Sequence, residues 1–439
     1  MKKNPTYLYV PYRHLLVLIC LTFGLSVSAQ QKQKNIVIAN ATAHLGNGTV
    51  IPKSLVVIQG KFILLVSAIN SATYQITGED SVIHAEGMHL YPGLINPNNI
   101  LGLHDAEAVR ATRDFSDVGE MNPHLRTCIA YNTDNAIVPT VKTNGILYTQ
   151  VCPRGGIISG SSGVMALEAW NWEDAALLAD DGIHLNFPKK QISVMGDDES
   201  PEKNPNKKYE EEKDRLFTFF TQAKAYASAE TVTKKNIRFE AMRGVFNGST
   251  ILYVHADKQK EILAALQFVR QFGIPKTVMV GAKEAYKVTS ELKAQHVPVM
   301  LNRVNDLPDN TDDDVDLMYR LPYLLQKDSV LFCLQLEGDM EAMQSRNLPF
   351  NAGHAVAYGL TEEQALSAIT LNAAKIMGLD SSIGTLEPGK LASVVLSRGN
   401  ILDMRSNDVV FACIAGKPIA LSNKQTDLYN TYKKKYKLK

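Results

Sequence analysis

Three polar exits from apolar runs could carry chemistry in this 439-residue chain. Ile251-Leu-Tyr-Val-His255-Ala-Asp257 has a strand pattern and ends on an imidazole and a carboxylate. Ser329 to Leu336 is a second strand pattern, followed by Glu337-Gly338-Asp339. Leu90 to Ile95 is a third, entered at Pro92-Gly93, with the exit Asn96-Pro97-Asn98-Asn99-Ile100. Asp312-Asp313-Asp314 with Asp316 is a carboxylate cluster, but consecutive carboxylates cannot all face one cation, so it reads as a solvated acidic loop. Cys152-Pro153-Arg154-Gly155-Gly156 leads into Ser159-Gly160-Ser161-Ser162-Gly163. Backbone N–H groups of such a Gly/Ser-rich loop can hold an anion, and a close-packed turn accounts for it equally well. No Walker Lys-Ser/Thr follows, which argues against a nucleotide P-loop. Cys128, Cys152, Cys333 and Cys413 have no CxxC or other zinc spacing and read as buried free thiols. Trp170 and Trp172 flank the Gly/Ser-rich loop and could line a site or simply pack.

The elements that must position these residues alternate. Strand-like Asn35–Ala39, Ser54–Gln59 and Phe62–Val66, separated by Gly/Asn turns, predict a small sheet. That sheet is too small to bury its own core, and its partner is at the other end of the chain, in the turn and strand of Ile383–Leu396 and the hairpin around Val409–Lys417. Between them strands alternate with helices, the pattern of a parallel α/β barrel. Lys258 to Phe272 is a helix, apolar at Ile262, Leu263, Leu266, Val269 and Phe272 and closed by Gly273. A further helix spans about Glu284 to Gln295, and Thr361 caps another. Asp197–Lys213 is an exposed, proline-broken loop leading into a helix with Leu216, Phe217, Phe219 and Phe220.

Composition limits the function classes. The formal net charge is +1, which argues against a nucleic-acid binder. Lys2, Lys3 and Arg13, then the apolar Leu15–Leu25 and Val27-Ser28-Ala29, form a secretory-signal pattern, so export to the periplasm or beyond is expected. No later stretch is long and apolar enough to span a membrane. The basic tail Lys433-Lys434-Lys435-Tyr436-Lys437 reads as a solvated terminus. The expected organisation is a signal peptide at 1–29, sandwich strands at 30–90, a barrel at 91–380, returning sandwich strands at 381–425 and the tail at 426–439.

Pro92-Gly93-Leu94-Ile95-Asn96, the helix Ala365–Leu379 and Leu386-Glu-Pro-Gly-Lys390 together resemble the amidohydrolase superfamily, in the manner of imidazolonepropionase-like and dihydroorotase-like enzymes. The resemblance covers nearly all the sequence after the leader. It implies a TIM-type (β/α)8 barrel with a composite β-sandwich built from both termini. It also implies hydrolysis of cyclic amide-type C–N bonds by metal-activated water. In that family paired histidines end the first barrel strand. Here Asn98 and Ile100 stand at those positions. His255 matches the fifth-strand ligand. Asp339 matches the eighth-strand Asp, which ligates and shuttles a proton, with Glu337 close by. The sixth-strand exit, Val280-Gly281-Ala282-Lys283, has no histidine. His255 and Asp339 alone do not close a three-ligand centre. The expected cofactor is therefore none, or a single zinc-like divalent metal on His255 and Asp339. The expected pocket residues are Asn98, Ile100, Arg154 and His255. Two readings stay open: a hydrolase with a rearranged site, or a non-catalytic barrel that binds a small molecule or a related amidohydrolase.

Overall fold

The structure, a computed structural model, describes residues 34–106, 109–195, 201–310 and 312–438; the leader-like segment 1–29 is outside them. Strands β1 (Ile36–His44), β2 (Val50–Gln59), β3 (Phe62–Ala68), β4 (Ser81–His84) and β5 (His89–Pro92) begin one sheet. The next strands, β6 (Leu94–Asn99), β7 (Ile146–Val151), β8 (Ile158–Ala166) and β9 (Ala176–Asn186), begin a second. A hairpin, β10 (Gln191–Met195) and β11 (Pro201–Pro205), interrupts it. The second sheet then continues through β12 (Ile251–Ala256), β13 (Thr277–Gly281), β14 (Val299–Leu301) and β15 (Phe332–Leu334). Finally β16 (Val394–Ser397), β17 (Val409–Ile414) and β18 (Lys417–Pro418) return to the first sheet, where β16 pairs with β5.

The first sheet has the order β18-β17-β16-β5-β1-β2-β3, with β4 beside β1. It curls back on itself, so that β3 meets the segment leading into β16: Ile63 N–H donates to the Lys390 carbonyl at 2.9 Å, and Ala392 N–H to that of Lys61 at 2.8 Å. Ile38, Val56, Ile58, Leu90, Val394 and Leu396, contributed by both ends of the chain, share the enclosed core. Neither terminal set of strands could bury that face alone.

The second sheet is the barrel, in the order β6-β7-β8-β9-β12-β13-β14-β15. All neighbours are parallel except β8, which runs antiparallel to both β7 and β9. A parallel return needs a crossover of a dozen or more residues, and only residues 152–157 join β7 to β8. The run Ser159–Gly163, expected as a Gly/Ser-rich turn, is therefore a fully buried strand. At Gly163 a side chain would collide with Cys128 Sγ.

β6 and β15, the two ends of this sheet, do not pair with each other. The closing helices stitch the seam instead: Ile95 N–H donates to the Ile369 carbonyl at 2.9 Å, and the Asn372 side chain to the Phe332 carbonyl at 2.9 Å. The helix Gln259–Phe272 buries Ile262, Leu266, Val269 and Phe272 as its spacing predicts, while Leu263 faces solvent. Gly273 at φ +65° ends it. Thr361 caps Glu362–Ala368, and Gln364 reaches back to complete a capping box. The helix expected at 284–295 is split into a 3-10 turn, Ala285–Lys287, and a short helix, Thr289–Ala294. Phe220 is buried in the long helix Tyr209–Ala227, and its ring meets those of Phe268 and Phe272.

β9 has no side chain at Gly182 because the Tyr253 ring from β12 lies across that position. Gly182→Ala therefore forces the ring or the strand to move. It should cost about 1–3 kcal/mol in urea unfolding, the usual penalty for overpacking a filled core. An unchanged midpoint would mean that the ring is not fixed there.

Candidate functional site

Four strand exits converge at the C-terminal end of the barrel. Each contributes a polar group where the parallel strands stop and their apolar side chains give way. β6 ends in Asn98, held at φ +48°, and its backbone N–H donates to Gln150 Oε1 at 3.0 Å. The turn after β7 contributes Arg154. β12 contributes His255. The turn after β15 contributes Glu337 and, four residues on, Glu341.

Arg154 is the centre of this group. Its Nε and Nη2 grip Glu341 at 3.2 and 2.9 Å, a fork-to-fork pair. Nη1 donates to the Asn98 side-chain oxygen at 3.1 Å, and Nη2 to the Asn98 carbonyl at 3.0 Å. Glu337 Oε1 is 3.9 Å from Nε. The Arg154 side chain is only 17% exposed and that of Glu341 5%. Burial alone would lower the guanidinium pKa. Glu341 and Glu337 beside it reverse that and hold it above the usual value, so Arg154 is a permanent internal cation. Burial pushes the Glu341 carboxyl up, against the pull of Arg154. Burial also works to raise Glu337, but Arg154, His255 and a 2.8 Å hydrogen bond from Asn98 Nδ2 hold it well below the usual carboxylate range. The two carboxyls share one cation and are pushed apart in pKa.

A histidine relay leads inward from Glu337. His255 Nδ1 lies 3.5 Å from Glu337 Oε2, and His255 Nε2 lies 2.9 Å from His184 Nδ1. His184 is buried on β9 and stacks on Tyr253 with ring centroids 4.7 Å apart. Burial, then the neighbouring His255 and Arg154, press its pKa well below the usual histidine value, so the ring is neutral. Its Nε2 is buried and has no hydrogen-bond partner among the described residues. A second buried group lies deeper. Asp181 accepts from Ser162 Oγ at 2.7 Å, Tyr253 OH at 2.6 Å and Gln150 Nε2 at 2.7 Å. Gln150 therefore ties this carboxylate to the Asn98 backbone.

The structure brings together Asn98, Arg154 and His255; the other two residues singled out from sequence, Ile100 and Asp339, are outside this polar network and line a separate cavity with Glu341. Ile100 lies past the end of β6, in an apolar cluster with Leu103, Cys128, Tyr131 and Val151. Asp339 is exposed and absent from the network. The chain turns at Gly338, φ +126°, which leaves Glu337 in the cluster and Asp339 exposed. His184, Glu341, Asp181 and Gln150 were missed by sequence reasoning. Asp181-Gly-Ile-His184 has no flanking turn chemistry to mark it as a strand exit, and Glu341 reads as part of an ordinary acidic first turn of a helix.

A zinc-like hydrolytic centre needs three protein ligands and an open position. Here both nitrogens of His255 face partners, and the ground between Asn98, Glu337 and Glu341 is filled by a guanidinium. Among the described residues no group of three or more His, Cys, Asp or Glu side chains is arranged to hold a metal ion.

Residues 328–425 match the model of the Amidohydrolase family. An adenine deaminase of Desulforamulus reducens is 33% identical over 72 residues, 16% of this chain and 12% of that protein. A 5-methylthioadenosine/S-adenosylhomocysteine deaminase of Symbiobacterium thermophilum is 33% identical over 88 residues, 20% of this chain and 19% of that protein. The matches thus span less than a fifth of the curated relatives' length. The structure of an amidohydrolase from Thermotoga maritima MSB8 superposes with a TM-score of 0.75 over 88% of this chain and 99% of that one, at 22% identity, and shares the fold.

The depressed Glu337 pKa has a sign. Its stabilisation is complete above the ordinary value of 4.5 and is lost as pH falls from there toward the lower folded value, because the unfolded chain takes up the proton first. Glu337→Gln should flatten the acid limb of a stability–pH profile below about pH 4.5 relative to wild type. Parallel acid limbs would count against the assignment.

Proposed function

We propose that this barrel of the amidohydrolase superfamily has exchanged its metal centre for the Arg154 ion-pair cluster, and that it binds a small molecule rather than hydrolysing one through metal-bound water. The observation that carries this is the fork of Arg154 on Glu341, buried where the exits of β7 and β15 meet beside β6. A fixed cation there satisfies the carboxylates that would otherwise attract a divalent ion, and excludes that ion by charge repulsion.

A binding chamber lies beside the cluster. A cavity of about 690 Å³ opens at the exits of β9, β12 and β13. Phe187, Pro188, Tyr209 and Ala264 give it apolar walls, and Lys189, Lys258 and Lys283 line it with their partners Asp257 and Asp309. A mostly pre-formed concave site with a few fixed polar groups is the usual form of a small-ligand pocket. The leader-like segment supports export, so the ligand would be met in the cell envelope.

The relay His184–His255–Glu337 favours a second reading, metal-free acid–base hydrolysis, because two imidazoles in line with a carboxylate offer a path for a proton. On that reading His255→Ala abolishes a turnover that chelators leave intact.

Elemental analysis of the dialysed protein, with and without added zinc, tests the main reading. The expected result is no retained stoichiometric metal and an unfolding midpoint insensitive to chelator. Stoichiometric zinc lost in His255→Ala would overturn it.

Arg154→Ala leaves Glu341 buried without its cation and should cost about 3–5 kcal/mol, the usual loss when one partner of a buried pair is removed. Low concentrations of methylguanidinium, or a divalent cation, should return part of that loss in thermal unfolding. Arg154→Lys should recover little, because an ammonium cannot reproduce the fork. Full recovery by lysine would show that charge alone is required.

A further inference from the structure

The sequence predicts a solvated basic tail over 426–439, but in the structure Lys424–Lys435 is a helix with one organised face. It is fastened at its start. Asn423 is buried, caps the helix through Thr426 N–H at 2.9 Å, and reaches Thr143 Oγ1 at 3.4 Å; Gln425 accepts from Thr140 Oγ1 at 3.3 Å. Those threonines precede β7, so the helix is rooted at the end of the barrel opposite the Arg154 cluster. Beyond this root none of its residues is buried.

At about 100° per residue, Leu428, Tyr429, Tyr432 and Tyr436 fall on one arc of roughly 100°. Leu428 is 45% exposed, Tyr429 62%, Tyr432 52% and Tyr436 61%. Lys433 and Lys435 flank this arc, with Lys433 Nζ 5.9 Å from the Tyr429 ring centroid and Lys435 Nζ 5.4 Å from that of Tyr436. Residues 424–439 hold six lysines against one aspartate, in a chain whose formal net charge is +1. This segment therefore carries a net +5, and the rest of the chain a net −4.

We propose that this helix docks the protein on an anionic phospholipid surface. Tyrosine has an apolar ring and a polar tip, suited to the headgroup layer, where its hydroxyl stays hydrated. In a dry protein groove three such hydroxyls would each need a partner. Lysines on both flanks can lay their stems along the rings and place their ammonium groups among lipid phosphates. A basic amphipathic helix with low overall hydrophobicity lies in the interface and does not cross it. Rooted at the far end of the barrel, it would leave the cavity mouth turned away from the membrane.

Co-sedimentation of the full chain with phosphatidylcholine vesicles, with and without phosphatidylglycerol, tests this. Binding should require phosphatidylglycerol and weaken with salt. Replacing Lys433 and Lys435 together with Gln should lower partitioning roughly 25-fold, from about fivefold for each lysine near an anionic surface. Tyr432→Ser with Tyr436→Ser should lower it while keeping the salt dependence. Circular dichroism and thermal unfolding would establish that the variants are folded. Equal binding to neutral vesicles, no binding, or an unaffected lysine variant would overturn the proposal. So would self-association in solution lost in the same variants, which would make a second copy of the chain the occupant.

Discussion

The interior of the barrel depends on one buried charge. Removing a guanidinium from water costs several kcal/mol unless its donors are met, and Arg154 meets them with a bidentate carboxylate, the Asn98 side chain and the Asn98 carbonyl. Much of the local geometry follows from that need. Asn98 accepts a left-handed backbone that brings both of its oxygens to one guanidinium. Asn99 and Asn96 are drawn into the seam, where Asn99 donates to the Glu341 carbonyl at 3.3 Å and Asn96 to Ser345 Oγ at 3.0 Å. The segment carrying Glu341 is thereby locked against β6. A seam that lacks strand-to-strand pairing is thus reinforced by side-chain amides beside the helices that stitch it.

This arrangement answers the same electrostatic problem that a metal answers. Parallel strands end with carboxylates and carbonyls facing a common axis, and something positive must compensate them. Arg154 does so without a coordination shell. The remaining polar groups form a line from Asp181 through Gln150 and Asn98 to Glu337, His255 and His184. Satisfied networks of this kind fix side-chain positions. A partly satisfied end, such as His184 Nε2, is where such a network has slack.

The sequence disclosed the architecture well, because it rests on signals of short range. The Pro92-Gly93 entry, the apolar face of Gln259–Phe272 and the Thr361 cap are each decided by a few neighbouring residues. β8 was illegible for the opposite reason. Its glycines and serines have weak strand propensity, and it is a strand only because a short connection and close neighbours leave no alternative. The site was half legible. Asn98, Arg154 and His255 could be singled out by position, but their partnership joins residues some fifty to two hundred and forty apart. Glu337 and Asp339 have equal claims in one dimension, and only the turn at Gly338 separates them.

The bidentate pair also constrains how this chain can change. Losing Arg154 alone leaves Glu341 an unpaired buried anion, and losing Glu341 alone leaves an unpaired buried cation, so either single step passes through a poorly folded intermediate. A histidine at position 98 would meet the guanidinium and would forfeit the Asn98 side-chain contacts to Arg154 and Glu337. Mutations at 98, 154 and 341 are therefore coupled rather than additive. A lineage that carries this ion pair sits behind a barrier in sequence space, and leaving it requires several substitutions to arrive together.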